Sequence, residues 1–134
     1  MLESICTDLE TSKRLKELGF DAKTKFYWEN DYINDNISIG CWFNKPSSLK
    51  EDYEYTKAYT LEQVLSKLPK SVKHSFTNYT LNFDYTEECI EYKWISDEPY
   101  TEDKILIYQL RDITENWATT AAKLWIQLKE SEIV

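Results

Sequence analysis

The apolar positions of this 134-residue chain change period several times, and each change marks an element. In TDLETSKRLKELGF, Leu15 and Leu18 share a face, Thr7 stands in a capping position, Glu10 follows it as in a capping box, and Gly19 supplies a left-handed stop. A helix is predicted from about Asp8 to Leu18. KFYWE and NISIGCWF are short, aromatic and β-branched, with the polar stretch Asn30 to Asn36 between them, and read as a hairpin. In its second strand Ile37, Ile39, Cys41 and Phe43 share one side and are expected in the core. Gly40, in mid-strand with Ser38 and Trp42 on the opposite side, predicts either a close approach by another element or a bulge. Residues 44–58 are polar and read as a long exposed connection, with Tyr53, Tyr55 and Tyr59 punctuating its end.

YTLEQVLSKLPK carries the clearest helical period, with Leu61, Val64, Leu65 and Leu68 on one stripe, Thr60 and Gln63 as a capping box, and Pro69 as the stop. Period two returns in Tyr79, Leu81, Phe83 and Tyr85, and again in Ile90, Tyr92 and Trp94. With Asp84 and Cys89 flanking a four-residue loop, Phe83 falls opposite Ile90, Leu81 opposite Tyr92 and Tyr79 opposite Trp94, which leaves Asp84 and Glu91 on a polar face. SDEPYTED reads as the loop that follows. KILIYQLR, apolar on both sides, predicts a central strand, and NWATTAAKLWIQLKE a final helix capped by Asn116 with a stripe of Ala118, Ala121, Ala122, Trp125 and Leu128. The pattern as a whole predicts a single α+β domain spanning 1–134 in the order α-β-β-α-β-β-β-α: an antiparallel sheet of about five strands covered by two or three helices.

Charge changes the picture at one place. The chain carries −8 overall, and residues 84–103, with eight carboxylates against the single Lys93, hold nearly all of it. A local negative field over a near-neutral body is directional in a way that uniform acidity is not. At 42% apolar and 15% aromatic residues the chain is too hydrophobic for a disordered acidic tail. Cys6, Cys41 and Cys89 are odd in number and lack CxxC spacing, which predicts reduced thiols rather than a disulfide framework or a zinc knuckle. The first residues have no apolar signal-like core and no run approaches a membrane span, so a cytoplasmic protein away from the membrane is predicted.

Candidate chemistry is sparse. His74 is the only histidine, Gly19 and Gly40 are the only glycines, and neither HExxH nor GxSxG occurs. That argues against an enzyme and for no cofactor. Asp97, Glu98, Glu102 and Asp103 lack EF-hand spacing, so no metal site is expected, and the absence of a basic stretch argues against direct nucleic-acid binding.

The segments LKELGF, TKFYWE, AYTLEQVLSKLPK and NWATTAAKLWIQLKE, in that order along the chain, resemble a set of small proteins encoded by phages and prophages of gut bacteria. That set has no established activity, so the resemblance implies an accessory protein and assigns no functional residue. Tyrosines and local acidity together point to a protein partner, bound through Tyr53, Tyr55, Glu87, Glu88, Glu91, Asp97, Glu98, Tyr100, Glu102 and Asp103. Two alternatives stand beside this reading: an acidic nucleic-acid mimic that blocks a DNA-binding host protein, and a small enzyme or ligand-binding domain. Oligomeric state is left open by the sequence.

Overall fold

A computed structural model of the chain describes residues 2–42, 53–74, 77–84, 89–97, 100–109 and 116–132; for 74, 77, 84, 94–97 and 100–109 it describes the backbone alone. A 3-10 turn at Leu2–Ser4 leads into α1 (Leu9–Glu17), β1 (Phe26–Asp31), β2 (Asn36–Cys41), β3 (Tyr53–Ala58), α2 (Leu61–Leu65), β4 (Ser71–His74), β5 (Thr77–Asp84), β6 (Cys89–Asp97), β7 (Tyr100–Gln109) and α3 (Trp117–Glu130). The class is α+β. One sheet of about five strands is not what forms: among the described residues, seven strands divide into an antiparallel sheet ordered β2-β1-β3 and a second ordered β4-β5-β6-β7. The two strands without a sequence signal are β3 and β4. YEYTKA sets tyrosines against charged and polar residues without apolar contrast, and SVKH is four residues long with one apolar member.

Local chemistry explains the helix ends. Asp8, rather than Thr7, caps α1, its carboxylate accepting from the Thr11 N–H at 2.8 Å. Thr7 is instead a fully buried latch. Its hydroxyl meets Ser12 at 2.7 Å and accepts from the Tyr59 N–H at 3.1 Å, while its carbonyl accepts from the Trp28 indole at 2.9 Å. At the other end of α1, Gly19 at φ 84° gives its N–H to the Lys16 carbonyl, and Phe20 gives its N–H to Leu15, the paired bonds of a Schellman stop. The Thr60–Gln63 capping box of α2 is formed. Asn116 caps α3, and its amide also donates to the carbonyls of Cys6 and Glu3, tying the N-terminal segment to the last helix.

The core lies where α1, α2 and α3 meet the second sheet: Leu15, Val64, Leu68, Tyr79, Ile90, Tyr92, Leu124 and Leu128 are all buried in one cluster. Every residue of the predicted α3 stripe is buried, and Thr119, Thr120 and Leu124 with them. The β5–β6 register is the predicted one, with Phe83 opposite Ile90 and Leu81 opposite Tyr92, in a described ladder that runs from Thr80–Lys93 to Asp84–Cys89.

Three expectations fail here for physical reasons. Ile37 is 51% exposed and Cys41 is also exposed, because β2 is an edge strand and its apolar side extends beyond the body that covers Trp28 and Thr56. Among the described residues the strand that holds KILIYQ is not central: β7 closes one edge of the second sheet. Part of the predicted acidic loop is strand, since Asp97 ends β6 opposite Tyr100 of β7, and Glu102 and Asp103 continue that ladder opposite Ile95 and Trp94.

Candidate protein-binding face

The outward side of the first sheet is assembled by register. Tyr27 lies between Gly40 and Lys57, Glu29 between Ser38 and Tyr55, and Asp31 between Asn36 and Tyr53. Neighbours across antiparallel strands share a face, so these residues form one surface, with Trp42 at its β2 end. The opposite side of β1 docks on the body through Trp28.

Gly40 makes the aromatic part of this face fit together. A Cβ there would sit 2.9 Å from the Cη2 and Cζ3 atoms of Trp42, so the indole can fold back over its own strand only because position 40 has no side chain. Neither expectation at Gly40 is met: the close approach comes from Trp42 of the same stretch and not from another element, and the β1–β2 register is continuous, without a bulge. From there Trp42 meets Tyr27 edge-on at 5.9 Å and Tyr55 edge-on at 5.8 Å, and Tyr55 stacks on Tyr53 at 6.4 Å. Tyr27 is buried beneath the others; Trp42, Tyr53 and Tyr55 are half-buried. Half-buried rings with locked neighbours offer contact area at little further entropic cost.

The two ends of this aromatic strip differ in charge. Beside Tyr27, an open hollow of about 570 Å³ is lined by Lys23, Lys25 and Lys57 together with Thr24, Phe26 and Gln63. Lys57 holds Asp21 at 2.9 Å, and that hydrogen bond and charge keep the Asp21 carboxyl below its usual range. At the far end, Asp31 accepts from the N–H groups of Ile33 and Asn34 and from the Asn34 amide, which closes the β1–β2 turn; these bonds, led by that of the Asn34 side chain, also depress its pKa. Glu29 lies beside Tyr55, whose hydroxyl titrates above its usual value through loss of solvent first and the Glu29 charge second. Tyr32, in the turn, donates a hydrogen bond to the carboxylate of Glu54.

Of the residues expected to bind a partner, Tyr53 and Tyr55 lie on this face. Glu91 does not, and corrects the expectation. It is fully buried, its carboxylate accepting from the Asn82 amide at 3.1 Å and from the Cys89 thiol at 3.6 Å. Cys89, Ile90, Glu91 and Tyr92 are all buried, so both sides of β6 are covered at this point and alternation cannot separate a wet face from a dry one. A register shift between Ile90 and Tyr92 where β6 meets β7 adds to the irregularity. Glu87, Glu88 and Glu98 lie outside the described residues. Asp97, Tyr100, Glu102 and Asp103 lie along the β6–β7 ribbon, in the other sheet from Tyr53 and Tyr55, with their backbone alone described.

Tyr27, Trp42 and the three lysines carried no sequence expectation of binding. The signal was present in KTKFYWE and GCW: lysine and tyrosine alternating on one side of a strand, and a glycine two residues before a tryptophan. Among the described residues, no group of three or more His, Cys, Asp or Glu side chains is gathered to hold a metal, and no helix is long and apolar enough to cross a membrane.

The geometry defines an α+β protein with an aromatic sheet face that is charged oppositely at its two ends. No family model, curated protein or solved structure matches the chain.

Proposed function

We propose that the chain is a non-enzymatic binding module that lays an extended segment of a partner protein along the outward face of β1, β2 and β3. The observation that carries this reading is the run of rings Tyr27–Trp42–Tyr55–Tyr53, three of them half-buried, on a face flanked by lysines at one end and carboxylates at the other. From Lys25 to Asp31 the face extends about 20 Å at strand rise, room for roughly six extended residues. The segment it fits has an acidic residue for the lysine hollow, apolar or proline-rich residues for the rings, and a basic residue for the Glu29 end. Aromatic-lined grooves favour extended segments because such segments lose little conformational freedom on docking. In the phage or prophage setting that the resemblance implies, a module of this kind serves as an accessory protein.

Selection of binders from a random peptide display library tests the proposal, since it samples every short sequence and assumes no particular partner. The expected outcome is a consensus of acidic, apolar and basic positions, with affinity lowered roughly thirtyfold by Tyr55→Ser, the scale of a central aromatic contact. Glu87→Lys with Glu88→Lys should leave binding unchanged. Selected peptides that ignore Tyr55 and depend on Glu87 and Glu88 would return the site to the acidic 84–103 segment. The nucleic-acid-mimic alternative counted on the carboxylates of that segment; Glu91 is buried and cannot be one of the charges it displays.

A further inference from the structure

We infer that two copies of this chain associate through antiparallel pairing of their β2 strands, a feature independent of the peptide-binding reading. Among the described residues β2 forms a ladder with β1 alone, and the 3-10 turn Leu2–Ser4 touches it without forming a ladder. The Trp42 N–H donates to the Lys25 carbonyl, which fixes the phase of the ladder: positions 36, 38 and 40 bond to β1, and the N–H and C=O groups of Ile37, Ile39 and Cys41 point away from it.

Natural sheets protect such an edge with charge, proline or a bulge. β2 has none of these. Asn36–Cys41 reads NISIGC, without a charged residue in a chain of net charge −8, and its register with β1 is unbroken. Ile37 is 51% exposed, and Cys41 is exposed as well.

The strand is also complementary to itself. With a two-fold axis at Ile39, Ile39 pairs with Ile39 of the second copy and each Ile37 pairs with Cys41, giving three hydrogen-bonded pairs of outward-pointing groups with apolar side chains together on one side. On the other side Ser38 falls opposite Gly40, where a larger residue would meet the Trp42 ring folded over that glycine. An edge intended for a different strand needs no such internal match. Like charges, which elsewhere oppose contact between two acidic molecules, are absent from this strip. Five paired residues from each copy bury less than a standard interface of roughly 1,600 Å², so the association is weak and concentration-dependent. The axis stands perpendicular to the sheet, so a continuous ribbon β3-β1-β2-β2-β1-β3 would present both aromatic faces on the same side.

Sedimentation equilibrium of the full chain under reducing conditions, over rising concentration, tests the inference. A reversible monomer–dimer equilibrium is expected for the wild type. Ile39→Pro should shift it to monomer with an unchanged far-ultraviolet spectrum, because the N–H removed points outward and does not bond to β1. Should Ile39→Pro lose its folded spectrum, Ile39→Lys, which charges the edge and keeps the backbone donor, should give the same shift. Ile37→Cys should form an intermolecular disulfide with Cys41 of the second copy on mild oxidation, reporting the register. A wild type monomeric throughout the range overturns the inference and leaves the edge to a strand of some other protein. A dimer that persists in folded Ile39→Pro or Ile39→Lys, or an Ile37→Cys dimer whose new thiol does not join Cys41, overturns it as well.

Discussion

The two sheets are built from the same kind of hairpin and treat their residues in opposite ways. In the second sheet β6 runs between β5 and β7, and Ile90, Glu91 and Tyr92 are buried regardless of side. In the first, β1 has a strand on each flank, and on its outward side Tyr27 and Asp31 are buried while Glu29 between them is half-buried; the edge strand β2 leaves Ile37 exposed. Glu91 and Glu29 make the contrast plain. Each is a carboxylate in mid-strand among aromatic residues; one is enclosed by Asn82 and Cys89, and the other lies beside Tyr55 on the outward face. What decides between them is the layer packed on the sheet, which period-two alternation does not encode.

Unfolding by denaturant gives the largest test of this contrast. Ile90→Ala should cost about 3 kcal/mol, whereas Ile37→Ala, the same deletion on the exposed edge, should stay within about 0.5 kcal/mol. Equal losses would mean that β2 is covered after all. Gly40→Ala comes next: the new methyl meets the Trp42 ring, so a loss of about 1 kcal/mol should accompany a changed near-ultraviolet aromatic spectrum and weakened peptide binding.

Alkaline titration sharpens the comparison from the core side. Burial pushes Tyr59 and Tyr92 from 10.0 to about 12. The unfolded chain ionises these phenols near 10 and the folded one near 12, so their contribution to stability is complete below pH 10 and is lost as pH climbs through that window. Tyr92→Phe, which also gives up a hydrogen bond to the Pro69 carbonyl, should flatten the alkaline decline. The smallest effect is at the turn of the first sheet. Asp31 has a depressed pKa, so its stabilisation is present above the ordinary carboxylate pKa and is lost as pH falls through the lower folded value. The stability gap between wild type and Asp31→Ala should therefore close in acid; a gap that stays constant would separate this carboxylate from turn stability.

Much of this was legible where the signal is local. The Thr60–Gln63 box, the Gly19 stop, the Asn116 cap and the β5–β6 register each depend on residues a few positions apart, and each formed as the sequence implied. The exception among the local features is Thr7, which looked like a cap and was drawn instead into bonds with Ser12, Trp28 and Tyr59, two of them distant in sequence. What could not be read was set by long-range neighbours. β3 has no apolar alternation because its covered side is made of small residues, with Thr56 and Ala58 buried there. The aromatic face depends on β1, β2 and β3 lying in register, so Trp42 was legible only as lying opposite the expected core side of its strand, and Tyr27 carried no reading of its own. The acidic segment was visible as charge, but its one fully described carboxylate, Glu91, is inside.

The link from Asn116 to Cys6 and Glu3 also bears on how the molecule is made. The Asp8 N–H donates to Thr119 across 111 positions, and Arg14 pairs with Glu130 across 116. None of these bonds can form until the last helix has left the ribosome. Until then α1 and the Thr7 latch have no α3 to close against, and the isoleucines of the β2 edge wait beside an unfinished core. Synthesis should therefore yield a concerted closure once α3 is out, with the nascent chain most prone to wrong strand pairing just before α3 emerges.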